Sequence, residues 1–149
     1  MAIAIQHIHS KKVLHRDLKS GNVFLTKDGI VKIGDFGIAR QLDQTAGYAE
    51  TVVGTPYYLS PEIVQAQEYN YKTDLWSLGV ILYEMCALQP PFNGNNIAAL
   101  AIQIVQGKYQ PLPRTFSADI HNLVQLCLTV EVEKRISIDK LIALPVIQR

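Results

Sequence analysis

The stretch His15-Arg16-Asp17-Leu18-Lys19-Ser20-Gly21-Asn22, followed thirteen residues after Asn22 by Asp35-Phe36-Gly37, decides how this chain is read. Asp17 offers a carboxylate that can accept or orient the proton of an attacking hydroxyl. Lys19, two residues on, offers an ammonium that can offset negative charge developing on a transferred phosphoryl group. Asn22 supplies a neutral amide oxygen and Asp35 a carboxylate oxygen, the hard ligands that Mg²⁺ prefers. Gly37 lets the chain turn sharply after the second ligand, at backbone angles closed to most residues. Taken singly, Asp17, Lys19 and Asn22 would read as a polar turn, and Asp35 as a solvated loop acid. Taken in this order and at this spacing, they favour phosphoryl transfer.

Further segments extend the pattern. Gly54-Thr55-Pro56-Tyr57-Tyr58-Leu59-Ser60-Pro61-Glu62 ends in S-P-E, Asp74-Leu75-Trp76-Ser77-Leu78-Gly79-Val80 opens a long apolar run, and Arg135 follows far downstream. Together with the first two motifs these resemble the eukaryotic protein kinase family, S-P-E standing where A-P-E is usual. The wording Asn22-Val23-Phe24-Leu25-Thr26 with G-T-P-Y-Y-L-S-P-E is most similar to the NIMA-related serine/threonine kinases.

That resemblance implies a catalytic loop over residues 15–22, an activation segment over 35–62, and a protein-kinase-like fold of the larger, C-terminal lobe. It implies ATP and Mg²⁺ as cofactors and a protein Ser/Thr hydroxyl as acceptor. Asp17, Lys19 and Asn22 are then catalytic. Lys19, Asn22, Phe24 and Asp35 hold the nucleotide, with Asn22 and Asp35 on the metal. His15, Phe36, Gly37, Glu62, Asp74 and Arg135 are structural, Phe36 packing on His15. Glu62 pairs with Arg135, a buried ion pair whose loss of one partner would cost ~3–5 kcal/mol. Asp74 accepts backbone N–H groups of the catalytic loop; its plainer role is a helix N-cap. Ile136, where Pro is often found, and Val130-Glu131-Val132, in place of an Asn/Asp-Pro turn, depart from the family wording.

Two positions keep alternatives open. Phe24 either packs on the adenine ring or fills the core of a hairpin. Thr51, three residues before Gly54, matches an activating phosphorylation site of the NIMA-related group, or is a solvent-exposed hydroxyl. A phosphate there would add roughly −1.5 to −2 charge and find Arg16 as its cation. Thr55 would hydrogen-bond Asp17 and Lys19, as in serine/threonine kinases.

No G-x-G-x-x-G occurs, and the glycines before Asp35 are Gly21, Gly29 and Gly34. Sixteen residues precede Asp17, too few for a five-stranded small lobe. The small lobe is therefore expected to be absent, and the chain to be weak or inactive alone, since positioning can supply ~7–11 kcal/mol of barrier lowering. A non-catalytic binding module or a truncated product is the alternative.

Composition agrees with one globular domain: 149 residues, 48% hydrophobic, 18% charged. A net charge of +1 gives no general pull toward nucleic acid or membrane. Cys86 and Cys127 lie in apolar runs and read as core residues of a reducing compartment rather than as a disulfide. Leu75 to Leu88 falls short of the ~20 residues that span a bilayer and reads as a helix buried on all sides. A cytoplasmic protein is expected, cytoskeleton-associated by the family resemblance.

The local signals predict a mainly α chain with a small β-hairpin. Residues 22–25 and 30–33 flank the turn Lys27-Asp28-Gly29. Residues 38–61 read as a long loop. Asn96 predicts a helix over Ile97 to Gln106 stopped by Gly107, Ser117 another to Leu128, and Ser137 a last one ended by Pro145.

Overall fold

The computed structural model describes residues 1–35 and 56–148. The chain runs α1 (Ala2–Ser10), a 3₁₀ turn (Ser20–Asn22), β1 (Val23–Leu25), β2 (Val31–Ile33), α2 (Pro61–Val64), α3 (Tyr71–Ala87), α4 (Ile97–Gln106), α5 (Ala118–Cys127), α6 (Ile138–Ile142) and α7 (Pro145–Gln148). This is the mainly helical, hairpin-bearing architecture that the sequence predicts.

Helix α3 is the centre. Residues Thr73 to Ile81 are all buried, so this helix has no solvent face over more than two turns. Leu75, Leu78 and Ile81 enter one apolar cluster with Ile5, Leu18 and Leu123. Trp76, Val80 and Tyr83 enter a second with Phe92, Leu100 and Val124. Trp76 stacks on Phe92, centroids 5.4 Å apart. Each fully buried apolar side chain of this size contributes about 1.5–3 kcal/mol, which makes the α3 surface the main source of cohesion.

Caps set the helix ends. Asn70 Oδ1 accepts the Lys72 N–H at 2.8 Å, and Thr73 Oγ1 accepts the Asn70 N–H at 3.1 Å. Helix α3 thus starts at Tyr71, not at Leu75, and its N-cap is Asn70, not Asp74. Asn96 Oδ1 accepts the Ala99 N–H at 2.8 Å, and Gly107 closes α4 in the left-handed region at φ +62°. Ser117 opens α5 as predicted. Pro145 both stops α6 and, with no N–H to lose at a first helical position, begins the short α7. Residues 38–61 were expected to form one loop, but Pro61–Val64 is the helical turn α2, Pro61 standing at its start.

The hairpin pairs Val23 with Ile33, Phe24 with Lys32 and Leu25 with Val31. Asn22 lies in the 3₁₀ turn before it rather than in the strand. Thr26 closes the hairpin twice: its backbone N–H donates to Ile30 O, and its Oγ1 accepts the Ile30 N–H, each at 3.0 Å. Gly29 occupies φ +77°, which only glycine takes without strain. Leu25, Ile30 and Val31 remain exposed. Both cysteines are free thiols, Cys127 buried and Cys86 half-buried; burial pushes the Cys127 thiol up to about 12. Among the described residues no helix is long and apolar enough to cross a membrane.

Where α3 crosses the end of α5, side chains of Cys127 and Leu128 press against the bare face of Gly79. A Cβ on Gly79 would lie 2.5 Å from Cys127 Cβ and 3.0 Å from Leu128 Cδ2. Gly79→Ala is therefore expected to lower stability by about 1–3 kcal/mol through overpacking, read as a lower urea midpoint at unchanged slope.

Candidate active site

The site grows from a buried carboxylate. Asp74 lies in the first turn of α3 with no exposed surface. Its Oδ2 accepts the His15 N–H at 3.0 Å and the His9 Nε2–H at 2.7 Å. Its Oδ1 accepts the Arg16 N–H at 3.2 Å and the Tyr69 hydroxyl at 2.6 Å. Burial pushes the Asp74 carboxyl up, but the bonds from His9, Tyr69 and the two loop amides outweigh it and hold it below the ordinary value. Just past these bonds Arg16 sits at φ +68°, a left-handed conformation that a residue with a Cβ adopts only at a cost.

From that anchor the loop is threaded onto the hairpin. His15 is fully buried; its Nδ1 accepts the Asp17 N–H at 3.3 Å, so the ring hydrogen sits on Nε2 and donates to Gly34 O at 3.2 Å. Gly34 N–H donates to Asn22 O at 3.0 Å, which continues the hairpin pairing one residue past β2. The Asn22 end of the loop and Asp35 are thereby brought to neighbouring strand ends. Asp35 itself is exposed, at φ +56°.

Three polar side chains interlock at the centre. Asn22 is buried, and its Nδ2 donates to Asp17 O at 2.8 Å and to Asp17 Oδ2 at 3.1 Å. Lys19 Nζ donates to the same Oδ2 at 2.9 Å. Because the Asn22 amide hydrogens are spent on Asp17, its Oδ1 is the atom left for a cation. Among the described residues Asp17 Oδ1 takes no hydrogen bond, which leaves one oxygen for a substrate hydroxyl. Among those residues no trio of His, Cys, Asp or Glu could hold a metal. The donor set here is instead an amide oxygen plus an exposed carboxylate, which fits a hard, water-keeping divalent ion such as Mg²⁺.

Phe24 is 53% exposed, too open for a hairpin core residue. Its ring lies over Gly34, where an added Cβ would be 2.8 Å from Phe24 Cε2. Arg16 forms no ion pair among the described residues. Phe36, Gly37, Thr51 and Thr55 lie outside the described residues.

Glu62 and Arg135 meet in a fully buried two-pronged pair, Nη1 to Oε1 at 2.8 Å and Nη2 to Oε2 at 2.9 Å. Arg135 also donates to the carbonyls of Thr129, Val130 and Lys72, so all five of its N–H groups are used. Its guanidinium lies 5.0 Å from the Trp76 ring centroid. Burial raises the Glu62 carboxyl, yet the Arg135 bonds and charge prevail and hold it below its ordinary value. Ile136, where proline would be usual, donates its N–H to Leu126 O at 3.3 Å, a bond proline cannot make.

Sequence reasoning missed His9 and Tyr69 as partners of Asp74, since neither stands in a motif. Tyr58 stood inside a quoted motif without a role; its hydroxyl donates to Glu84 Oε2 at 2.6 Å.

A scan of family models matches residues 1–147 to the protein kinase domain. The serine/threonine-protein kinase Nek5 of Homo sapiens is 46% identical over 149 residues, 99% of this chain and 21% of its own length. Nek4 of Mus musculus is 43% identical over 148 residues, 99% of this chain and 19% of its own. Nek3 of Mus musculus is 51% identical over 128 residues, 86% of this chain and 25% of its own. The chain thus spans about a fifth to a quarter of the length of these relatives.

Two measurements follow from the buried polar groups. Glu62 and Asp74 are both held low, so their stabilisation is complete above the ordinary carboxylate pKa of about 4 and drains away as pH falls through the lower folded values. Acid titration followed by circular dichroism should show a stability loss that Glu62→Gln makes shallower. Ser60, in the position usually held by alanine, is 1% exposed with no partner for its Oγ among the described residues. Ser60→Ala should therefore raise stability by about 1 kcal/mol, measured by urea unfolding.

Proposed function

The chain belongs to the protein kinase family, with NIMA-related serine/threonine kinases among its relatives, and on that footing we propose that it carries the phosphoryl-transfer residues of a serine/threonine kinase. The observation that carries this reading is the interlock of Asp17, Lys19 and Asn22 beside Gly34 and Asp35. Protein kinases generally use ATP and Mg²⁺. Asn22 Oδ1 and the Asp35 carboxylate would hold the metal, which when bound neutralises phosphate charge.

The remaining work falls to the chain's own atoms. Asp17, its Oδ2 fixed by Lys19 and Asn22, orients the Ser or Thr hydroxyl through Oδ1 and takes its proton as the oxygen bonds to the γ-phosphorus. The bond from that phosphorus to the bridging oxygen breaks, and ADP leaves. During that transfer Lys19 Nζ, on a flexible, half-exposed side chain, turns from Asp17 toward the phosphoryl oxygens and offsets their developing charge. Phe24 offers its exposed ring to the adenine face. Residues 15–22 act as the catalytic loop and 35–62 as the activation segment, with Arg16 the cation for a phosphate on Thr51. A protein Ser/Thr substrate, and a cytoplasmic, cytoskeleton-associated place for this chain, are proposed from the family alone.

A second reading is favoured by the exposed apolar side chains of the hairpin, Phe24, Leu25, Ile30 and Val31: a binding module that docks a partner without catalysis. The two are separated by labelled-ATP transfer to a generic Ser/Thr substrate. Asp17→Asn should cut Mg²⁺-dependent transfer by about 100-fold or more. Equal signals from the two chains would sink the transferase reading and leave the module.

A further inference from the structure

Three hydrogen bonds converge on one phenol oxygen between the catalytic loop and α3. Tyr58 O–H donates to Glu84 Oε2 at 2.6 Å. The same oxygen accepts the Ser20 N–H at 3.3 Å and lies 2.8 Å from Ser20 Oγ. A carboxylate accepts only, so the single phenol hydrogen is committed to Glu84. Ser20 Oγ–H must then be the donor in its pair. The order is fixed end to end: Ser20 donates twice to Tyr58, and Tyr58 once to Glu84. With one hydrogen given and two lone pairs filled, the phenol is saturated. Burial first, and the Glu84 bond second, push the Tyr58 phenol up, so it stays protonated across the neutral range.

The place of this relay in the chain gives it a consequence. Ser20 opens the 3₁₀ turn Ser20–Asn22, which Lys19 precedes as its N-cap. Lys19 and Asn22 are the two donors on Asp17 Oδ2. The Asp74 bonds fix the front of the loop at His15 and Arg16, and Asn22 O is held by Gly34 N–H at its end. Ser20 lies between these two fixings, exposed to solvent and outside the apolar core. Tyr58 is its tie. Glu84, in turn, lies on the central helix, ten residues after Asp74. One helix therefore holds the loop at two points through two carboxylates.

We propose that Glu84, Tyr58 and the Ser20 hydroxyl form a positioning clamp that sets the Lys19–Asn22 turn for phosphoryl transfer and couples it to the segment around Ser60-Pro61-Glu62. None of the three touches the reacting atoms; they act through Lys19 and Asn22. The catalytic half of this inference rests on the kinase reading, and the geometric half does not.

The test uses Tyr58→Phe, Ser20→Ala and Ser20→Thr in the full chain. Amide hydrogen exchange reads the geometry without any activity. In Tyr58→Phe the Ser20 amide should exchange about tenfold faster or more, with core amides of α3 unchanged. Steady-state transfer reads the consequence: kcat about tenfold lower, the value expected from losing a charge-assisted bond, with KM for Mg·ATP unchanged. Ser20→Ala should lower kcat less, since its N–H remains, Ser20→Thr should restore it, and Tyr58→Phe with Ser20→Ala should be non-additive. Unchanged exchange at Ser20 overturns the clamp even if the chain is an active kinase. Faster exchange with unaltered kcat makes the contact structural and overturns the positioning role. Absence of transfer by the unsubstituted chain is a different failure: it removes the kinase reading and, with it, the catalytic half.

Discussion

The Asp74 carboxylate is the constraint on which the site depends. A charge with no exposed surface is tolerated only when every lone pair is engaged, and here two bonds reach each oxygen. Two of the four donors are consecutive backbone amides of the candidate catalytic loop, at His15 and Arg16. Two successive N–H groups turned to one carboxylate rule out an ordinary extended backbone at His15, and Arg16, where the chain then turns toward Asp17, is left-handed. The buried helix contributes rigidity and the carboxylate contributes direction. Asp17 follows at once, so its place is inherited from the core.

A second dependency runs through Gly34. Its N–H bonds Asn22, its carbonyl takes the His15 Nε2–H, and the Phe24 ring covers its face. Hairpin register, imidazole tautomer and aromatic packing thus converge on one small residue beside Asp35. The left-handed Arg16 and Asp35 bracket this arrangement, and both are residues proposed for function. Strain of this kind persists only where surroundings over-determine the backbone.

Much of this was legible in the sequence. Hydroxyl and amide caps at Asn96 and Ser117 placed α4 and α5, and Lys27-Asp28-Gly29 placed the hairpin, because those signals act within a few residues. The start of α3 was misplaced because apolar Leu75 outweighed the capping pair Asn70 and Thr73, which is polar and easily taken for loop. Helix α2 went unseen in a stretch of four residues, too short for any periodicity. The order of Asp17, Lys19 and Asn22 spoke for itself, but the partners of Asp74 did not. His9 and Tyr69 lie 65 and 5 residues from it, and only the packing of α1 against the start of α3 brings the first within reach. Nothing in local spacing encodes such a meeting.

Arg135 ties together pieces far apart in sequence: Glu62 in α2, Lys72 in α3, and Thr129 and Val130 just after α5. None of these can open without stranding a buried cation, so fraying at one is resisted by all. This part of the molecule should behave as a single cooperative unit, exposing its amides only when the whole fold opens. The hairpin, held by two short strands and a turn, sits at the opposite extreme. A stiff frame thus carries a compliant edge, and that edge bears Phe24, the ring proposed to meet the adenine.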